Sequence, residues 1–101
     1  MRMFNPPHPG EIIEGILEDL NLSIRELARA LDVAPSTVQR LVAMKAAVSP
    51  DMAVKLAIVL GSTPEMWLRL QISYDLDKAQ SKVDISKLTQ RYRPEPILQH
   101  P

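Results

Sequence analysis

Two short stretches that are apolar at helical spacing lie only a few residues apart, and they restrict the folds open to this chain more than any other feature. They flank an Asp-Val-Ala-Pro break at positions 32–35 of the segment ELARALDVAPSTVQRLV. Leu27 and Leu31 lie on the apolar side of the first stretch, and Val38 and Leu41 on that of the second. The pattern predicts two short helices joined by a turn, a helix-turn-helix.

Capping signals predict three more helices, so we expect an all-α, five-helix bundle with an irregular C-terminal tail. Proline in a first turn, a preceding Ser or Thr, and the capping box of Ser23 with Glu26 mark helix starts. Asn21, Asp32 and Gly61 are expected to end helices. The predicted starts are Pro9, Ser23, Pro35, Ser49-Pro50 and Thr63-Pro64, and the last helix is expected to end near Gln80.

We expect a helical domain at residues 1–80, with a last helix that forms a dimer, and a tail at 81–101 that is loose or depends on a partner. Prolines at 94, 96 and 101 forbid a helix to the end, and residues 82–88 are the single candidate strand. The apolar faces that we expect to turn inward include Leu20 on the first helix and Ala34 on the third.

Composition excludes several classes of protein. The chain has no cysteine, which removes disulfides, thiolate nucleophiles and cysteine-based zinc sites. No apolar run is long enough for a membrane span, the first ten residues do not resemble a signal peptide, and we expect a cytoplasmic protein. The net charge is zero, unlike that of a typical nucleic-acid binder. Charge is segregated along the chain, however, so that one face can be positive.

The predicted second helix of the pair carries an outward face suited to reading DNA. Gln can pair with adenine, Arg with guanine, and Ser or Thr with either a base or a phosphate. Side chains near the helix ends can hold phosphates. The predicted DNA-binding residues are Ser23, Pro35, Ser36, Thr37, Gln39, Arg40 and Lys45.

Longer motifs identify a resemblance that covers residues 8–79. HPGEIIEGILEDLNLSIRELARALDVAPSTVQRLV and SPDMAVKLAIVLGSTPEMWLRLQISYDLDKA resemble the HigA antitoxins, which are Xre-type, lambda-repressor-like helix-turn-helix proteins. The resemblance implies a bacterial antitoxin that binds operator DNA as a dimer, represses its own operon and neutralises a small mRNA-cleaving toxin of the HigB kind. It also implies base reading by Ser36, Thr37, Gln39 and Arg40.

Three positions depart from the family pattern. Asp32 replaces the usual Gly, Ala34 a frequent capping Ser, and Ala43-Met44 a common Asn-Gly. Because Met suits a positive φ poorly, the third helix is expected to run longer or to sit more loosely than in the family.

The last helix is apolar over a broader front than one small bundle needs, which is typical of a helix that packs against a second copy. We therefore predict a homodimer that places two recognition helices about 34 Å apart on DNA. The predicted interface residues are Met66, Leu68, Ile72 and Leu76.

Catalysis and metal binding are not predicted. His8 and His100 lie far apart without clustered acids, Asp75 and Asp77 point in different directions on a helix, and Ser36 has no activating base. No enzyme, cofactor or metal site is expected. Two alternatives to the antitoxin remain open, namely a repressor without a toxin and a protein-interaction module that has lost DNA binding.

Overall fold

The computed structural model describes residues 5–93, in which five α-helices form the bundle and no strand occurs. None of these helices is long and apolar enough to span a membrane. The helices are α1 (Pro9–Leu20), α2 (Ile24–Leu31), α3 (Pro35–Val42), α4 (Pro50–Leu60) and α5 (Pro64–Lys82).

Side chains cap the starts of four helices, as the sequence predicts for three of them. The hydroxyls of Ser23, Ser49 and Thr63 accept backbone N–H groups at α2, α4 and α5. Helix α1 is capped instead by His8, whose Nδ1 accepts the Gly10 N–H at 2.9 Å. Among the five described helices only α3 starts without a side-chain cap, because Ala34 has no acceptor.

The helix ends follow the predicted stops, with one correction. Asn21, Asp32 and Gly61 all have positive φ, at 54°, 58° and 98°. The expectation that α3 runs longer is wrong, because it ends at Val42 and Met44 adopts a φ of 60°. Hydrogen bonds from Met44 N–H to Leu41 O and from Lys45 N–H to Arg40 O close this turn.

A single core unites the five helices around Trp67, which is 1% exposed and donates from Nε1 to the Gly61 carbonyl. Two inward predictions are wrong. Leu20 is 59% exposed because it lies in the last turn of α1, and Ala34 is exposed because it lies in the turn before α3. The buried apolar residues are Ile13, Leu17, Leu27, Ala28, Leu31, Val38, Leu41, Val48, Met52, Ala53, Leu56 and Trp67.

Residues 83–93, which follow α5, lie outside this core. Helix α5 runs two residues past the predicted end near Gln80, to Lys82. The single candidate strand, 82–88, does not form, because Lys82 is helical and a turn lies at 86–87. Residues 83–93 are exposed throughout. The remaining part of the predicted tail, 94–101, lies outside the described residues.

Candidate nucleic-acid interface

Helices α2 and α3 form the predicted helix-turn-helix. The turn is closed by the Val33 N–H, which donates to the Ala28 carbonyl at 3.0 Å. Ala28 is 1% exposed, and Val38 and Leu41 are 0% and 2% exposed, so the inner side of α3 is fixed in the core. The outer side of α3 is therefore presented rigidly although the helix has only eight residues.

The predicted base-reading residues lie together on that outer side. Pro35, Ser36, Gln39 and Arg40 are exposed and Thr37 is half-buried. Successive turns of a helix bring positions three and four apart onto one face, so Ser36, Gln39 and Arg40 are neighbours. This face offers hydroxyl, amide and guanidinium groups without an acidic side chain of its own.

Arg40 is held by the turn that follows α3. Its Nη2 donates to the Lys45 carbonyl at 3.2 Å, so the guanidinium lies beside the C-terminal end of the helix. A cation there also interacts favourably with the helix dipole. Because a guanidinium has five N–H donors, Arg40 keeps donors for a base or a phosphate. Lys45 itself is exposed next to it.

Ser23 lies at the opposite end of the motif, at the start of α2. Its Oγ accepts the Glu26 N–H at 3.1 Å, and its own N–H donates to Glu26 Oε1 at 2.8 Å. These hydrogen bonds lower the pKa of the Glu26 carboxyl. Ser23 is exposed, but its N–H and its Oγ already form hydrogen bonds with Glu26. Only its hydroxyl hydrogen therefore remains to be donated to a phosphate.

Two arginines that were not predicted extend the positive surface. A cavity of about 190 Å³ between α2 and the start of α3 is lined by Arg25, Ala28, Arg29, Val33 and Pro35. Arg25 and Arg29 lie one turn apart on α2, next to the uncapped N-terminus of α3. Their four-residue spacing beside the predicted turn is a signal in the sequence that identifies them.

The four predicted dimer residues on α5 fall into two pairs. Met66 and Leu68 are half-buried and pack against the core of their own bundle. Ile72 and Leu76 are 55% and 51% exposed, one turn apart. The second pair therefore offers more free apolar surface to a partner than the first.

Comparison with known proteins places this arrangement among helix-turn-helix proteins. The helix-turn-helix family HTH_3 matches residues 13–68, from the middle of α1 to α5. The uncharacterised HTH-type transcriptional regulator YddM of Escherichia coli K12 is 52% identical over 88 residues, which cover 87% of this chain and 94% of the relative.

Two further relatives are antitoxins. The antitoxin HigA-1 of Vibrio cholerae is 38% identical over 72 residues, covering 70% of this chain and 68% of its own. The structure of the Pseudomonas aeruginosa antitoxin HigA with the higBA promoter superposes with a TM-score of 0.72 at 34% identity, covering 83% of this chain and 99% of that one. The predicted all-α helix-turn-helix bundle and the resemblance to HigA antitoxins are confirmed.

Proposed function

Because this chain belongs to the HTH_3 helix-turn-helix family, a non-enzymatic DNA-binding fold, we propose that it is the DNA-binding antitoxin of a toxin–antitoxin pair. It represses its own operon as a homodimer and neutralises a small basic mRNA-cleaving toxin of the HigB kind, in the cytoplasm. DNA binding is supported by the exposed polar face of α3, whose opposite side is buried in the core.

Helix α3 is proposed to enter the major groove of operator DNA. Gln39 is suited to adenine and Arg40 to guanine, with Ser36 and Thr37 contacting bases or phosphates next to them and Pro35 lying at the entrance of the helix. The hydrogen bond from Arg40 to the Lys45 carbonyl supports this role, because it restricts the guanidinium before DNA arrives.

Phosphates on both sides of the groove are proposed to bind a serine hydroxyl and three basic side chains that flank α3. Ser23, Arg25 and Arg29 lie on the α2 side and Lys45 on the far side of α3. The Ser36 amide in the uncapped first turn of α3 adds a donor for an anion. Local positive charge of this kind accounts for DNA binding by a chain whose net charge is zero.

The homodimer is proposed to form through α5, with Ile72 and Leu76 at its centre and Met66 and Leu68 beside them. The twofold axis at this face is proposed to place two copies of α3 about 34 Å apart, which is one turn of DNA. The half-exposed apolar pair supports this proposal, because solvent-exposed apolar neighbours on a helix are typical of an unfilled contact.

A salt titration tests operator binding. The duplex is the DNA immediately upstream of the coding region, and a scrambled duplex of equal composition is the control. Binding should weaken with a log–log slope of about −0.9 per phosphate neutralised, and the upstream duplex should bind more tightly than the control. Equal binding to both duplexes, or binding that ignores salt, would favour the protein-interaction module.

The second candidate is a transcriptional repressor without a toxin, which the similarity to the regulator YddM favours. A tagged chain expressed at native level is recovered after a moderate salt wash, and its partners are weighed by intact mass. A stoichiometric small basic protein that cleaves mRNA supports the antitoxin. Recovery of the chain alone, or with DNA only, supports the repressor.

A further inference from the structure

A buried polar cluster joins α1, α5 and the loop between α3 and α4. His8 and Gln71 are 3% and 5% exposed, and they are the buried polar side chains within residues 5–93. Together with Gly10, Tyr74 and Asp75 they form what is called the His8 junction below. Buried polar groups are costly unless they are paired, so each contact in this junction constrains the helices that it joins.

One side of the junction ties α1 to the end of α3. The Nδ1 atom of His8 accepts the Gly10 N–H at 2.9 Å, while the His8 N–H donates to Glu11 Oε2 at 3.1 Å. Gly10 lies directly against the carbonyl of Leu41, where a Cβ atom would overlap the carbonyl oxygen. The cap on α1 is therefore in close contact with the last turn of the DNA-reading helix.

The other side ties the same point to α5. The His8 ring meets the Tyr74 ring edge to face, with centroids 4.9 Å apart and an angle of 82°. Gln71 Oε1 accepts the Val48 N–H at 2.8 Å, and Gln71 Nε2 donates to Asp75 Oδ1 at 3.0 Å. Tyr74 and Asp75 lie between Ile72 and Leu76, the exposed apolar pair of α5.

We propose that His8 is a positioning residue for DNA binding, which holds α3 at a fixed angle to α5 through this junction. The inference rests on the proposed function, because the spacing of two recognition helices matters only in a dimer on DNA. The neutral ring caps α1 and packs on Tyr74. A protonated ring cannot accept the Gly10 N–H, so acidification releases the cap and loosens the angle.

The groups around His8 set the pH at which this release occurs. Burial lowers the pKa of His8 from its ordinary value of 6.5, whereas Asp75 on α5, Glu11 on α1 and the backbone of Ala46 in the loop oppose the decrease. Lys78 Nζ lies 5.4 Å from the centroid of the Tyr74 ring, on the same side of the bundle. The contribution of His8 to stability is complete above pH 6.5 and decreases as the pH falls towards its lowered pKa.

Operator affinity and dimer affinity of the full chain, measured from about pH 8 to pH 5, test the proposal. The operator dissociation constant of the wild type should rise by up to about tenfold per pH unit for each of the two His8 side chains of the dimer, at pH values below the pKa of His8, while the dimer persists. In His8→Asn, which keeps a capping acceptor but cannot titrate, this rise should vanish. His100→Asn is the matched control and should behave like the wild type.

Asp75→Asn gives a second test that does not alter the histidine. The amide oxygen of the variant can still accept from Gln71, but the lost negative charge should move the acid midpoint of operator binding to lower pH. An unchanged midpoint, or an equal acid response in folded His8→Asn and wild type, would overturn the proposal. Absence of operator binding by the wild type at pH 8 would instead refute the proposed function, and this inference with it.

Discussion

The outer faces of α3 and of the second half of α5 are both open to solvent, but they differ in chemistry. On α3 the exposed residues are polar, with Gln39 and Arg40 above the buried Val38 and Leu41. On α5 the exposed pair is apolar, Ile72 and Leu76. A polar face on a rigid base suits a charged, hydrogen-bonding partner such as DNA, whereas an apolar face suits another protein surface.

The two regions also differ in how firmly the core holds them. Each turn of α3 contributes a buried residue, whereas no residue from 72 to 93 is fully buried. The end of α5 and the segment after it therefore have little core of their own. The bundle therefore holds its proposed DNA-reading helix internally, whereas the exposed face of α5 would gain stability from the dimer partner that we propose.

Leu41→Ala should give the largest effect, because it removes a 2% exposed anchor of α3. The free energy of unfolding should fall by about 2–5 kcal/mol in urea titration, with operator binding lost in parallel. The control is Ile58→Ala, at a side chain that is 78% exposed, and its effect should stay within about 0.5 kcal/mol. Equal losses in both variants would contradict the difference in anchoring.

Charges placed on the apolar face of α5 should affect association instead of folding. The double variant Ile72→Asp with Leu76→Asp should weaken the dimer by at least about 2 kcal/mol, measured by sedimentation equilibrium. The same charges at Val54 and Ile58, an equally spaced exposed pair on α4, are the matched control. If only the α4 variant dissociates, the dimer does not form through α5.

Ala34→Ser should strengthen α3, which starts without a side-chain cap. A serine there can accept the Ser36 or Thr37 N–H, so unfolding should require about 1 kcal/mol more. Urea titration measures the gain. An unchanged free energy of unfolding would mean that the backbone N–H groups in the first turn of α3 already have other acceptors.

Replacement of Glu26 should have the smallest effect on stability, and only at acidic pH. Because hydrogen bonds to Ser23 lower the Glu26 pKa from 4.5, its contribution to stability is present above that value and is lost as the pH falls through the lowered pKa. Thermal unfolding of Glu26→Gln, which can still cap, should therefore depend less on pH in this range. Parallel pH profiles for the two proteins would contradict the assignment.

Local signals predicted most of the fold. Each helix start or stop depends on residues within one helical turn, so it can be recognised from the sequence alone. Examples are Pro35, the capping box of Ser23 and Glu26, and the stops at Asp32 and Gly61. The same locality explains why the outward residues of α3 could be named. Whether they contact DNA stays a prediction.

The missed features depend on residues far apart in the chain. His8 is a cap as well as a contact of Tyr74, and the burial of Gln71 depends on Val48, 23 residues away. Periodicity predicted an inward position for Leu20, but Leu20 is the last residue of α1 and is 59% exposed. Met44 adopts a positive φ because hydrogen bonds of the turn outweigh its local preference.

Whether the outer face of α3 reads DNA is tested by an anisotropy titration of the upstream duplex with Arg40→Ala. Its control is Lys55→Ala, which removes an equal charge from α4. We expect Arg40→Ala to lose about 1–3 kcal/mol of binding free energy on the upstream duplex and less on the scrambled one, and Lys55→Ala to bind like the wild type. Equal losses for the two variants, or unchanged affinity for Arg40→Ala, would contradict this expectation.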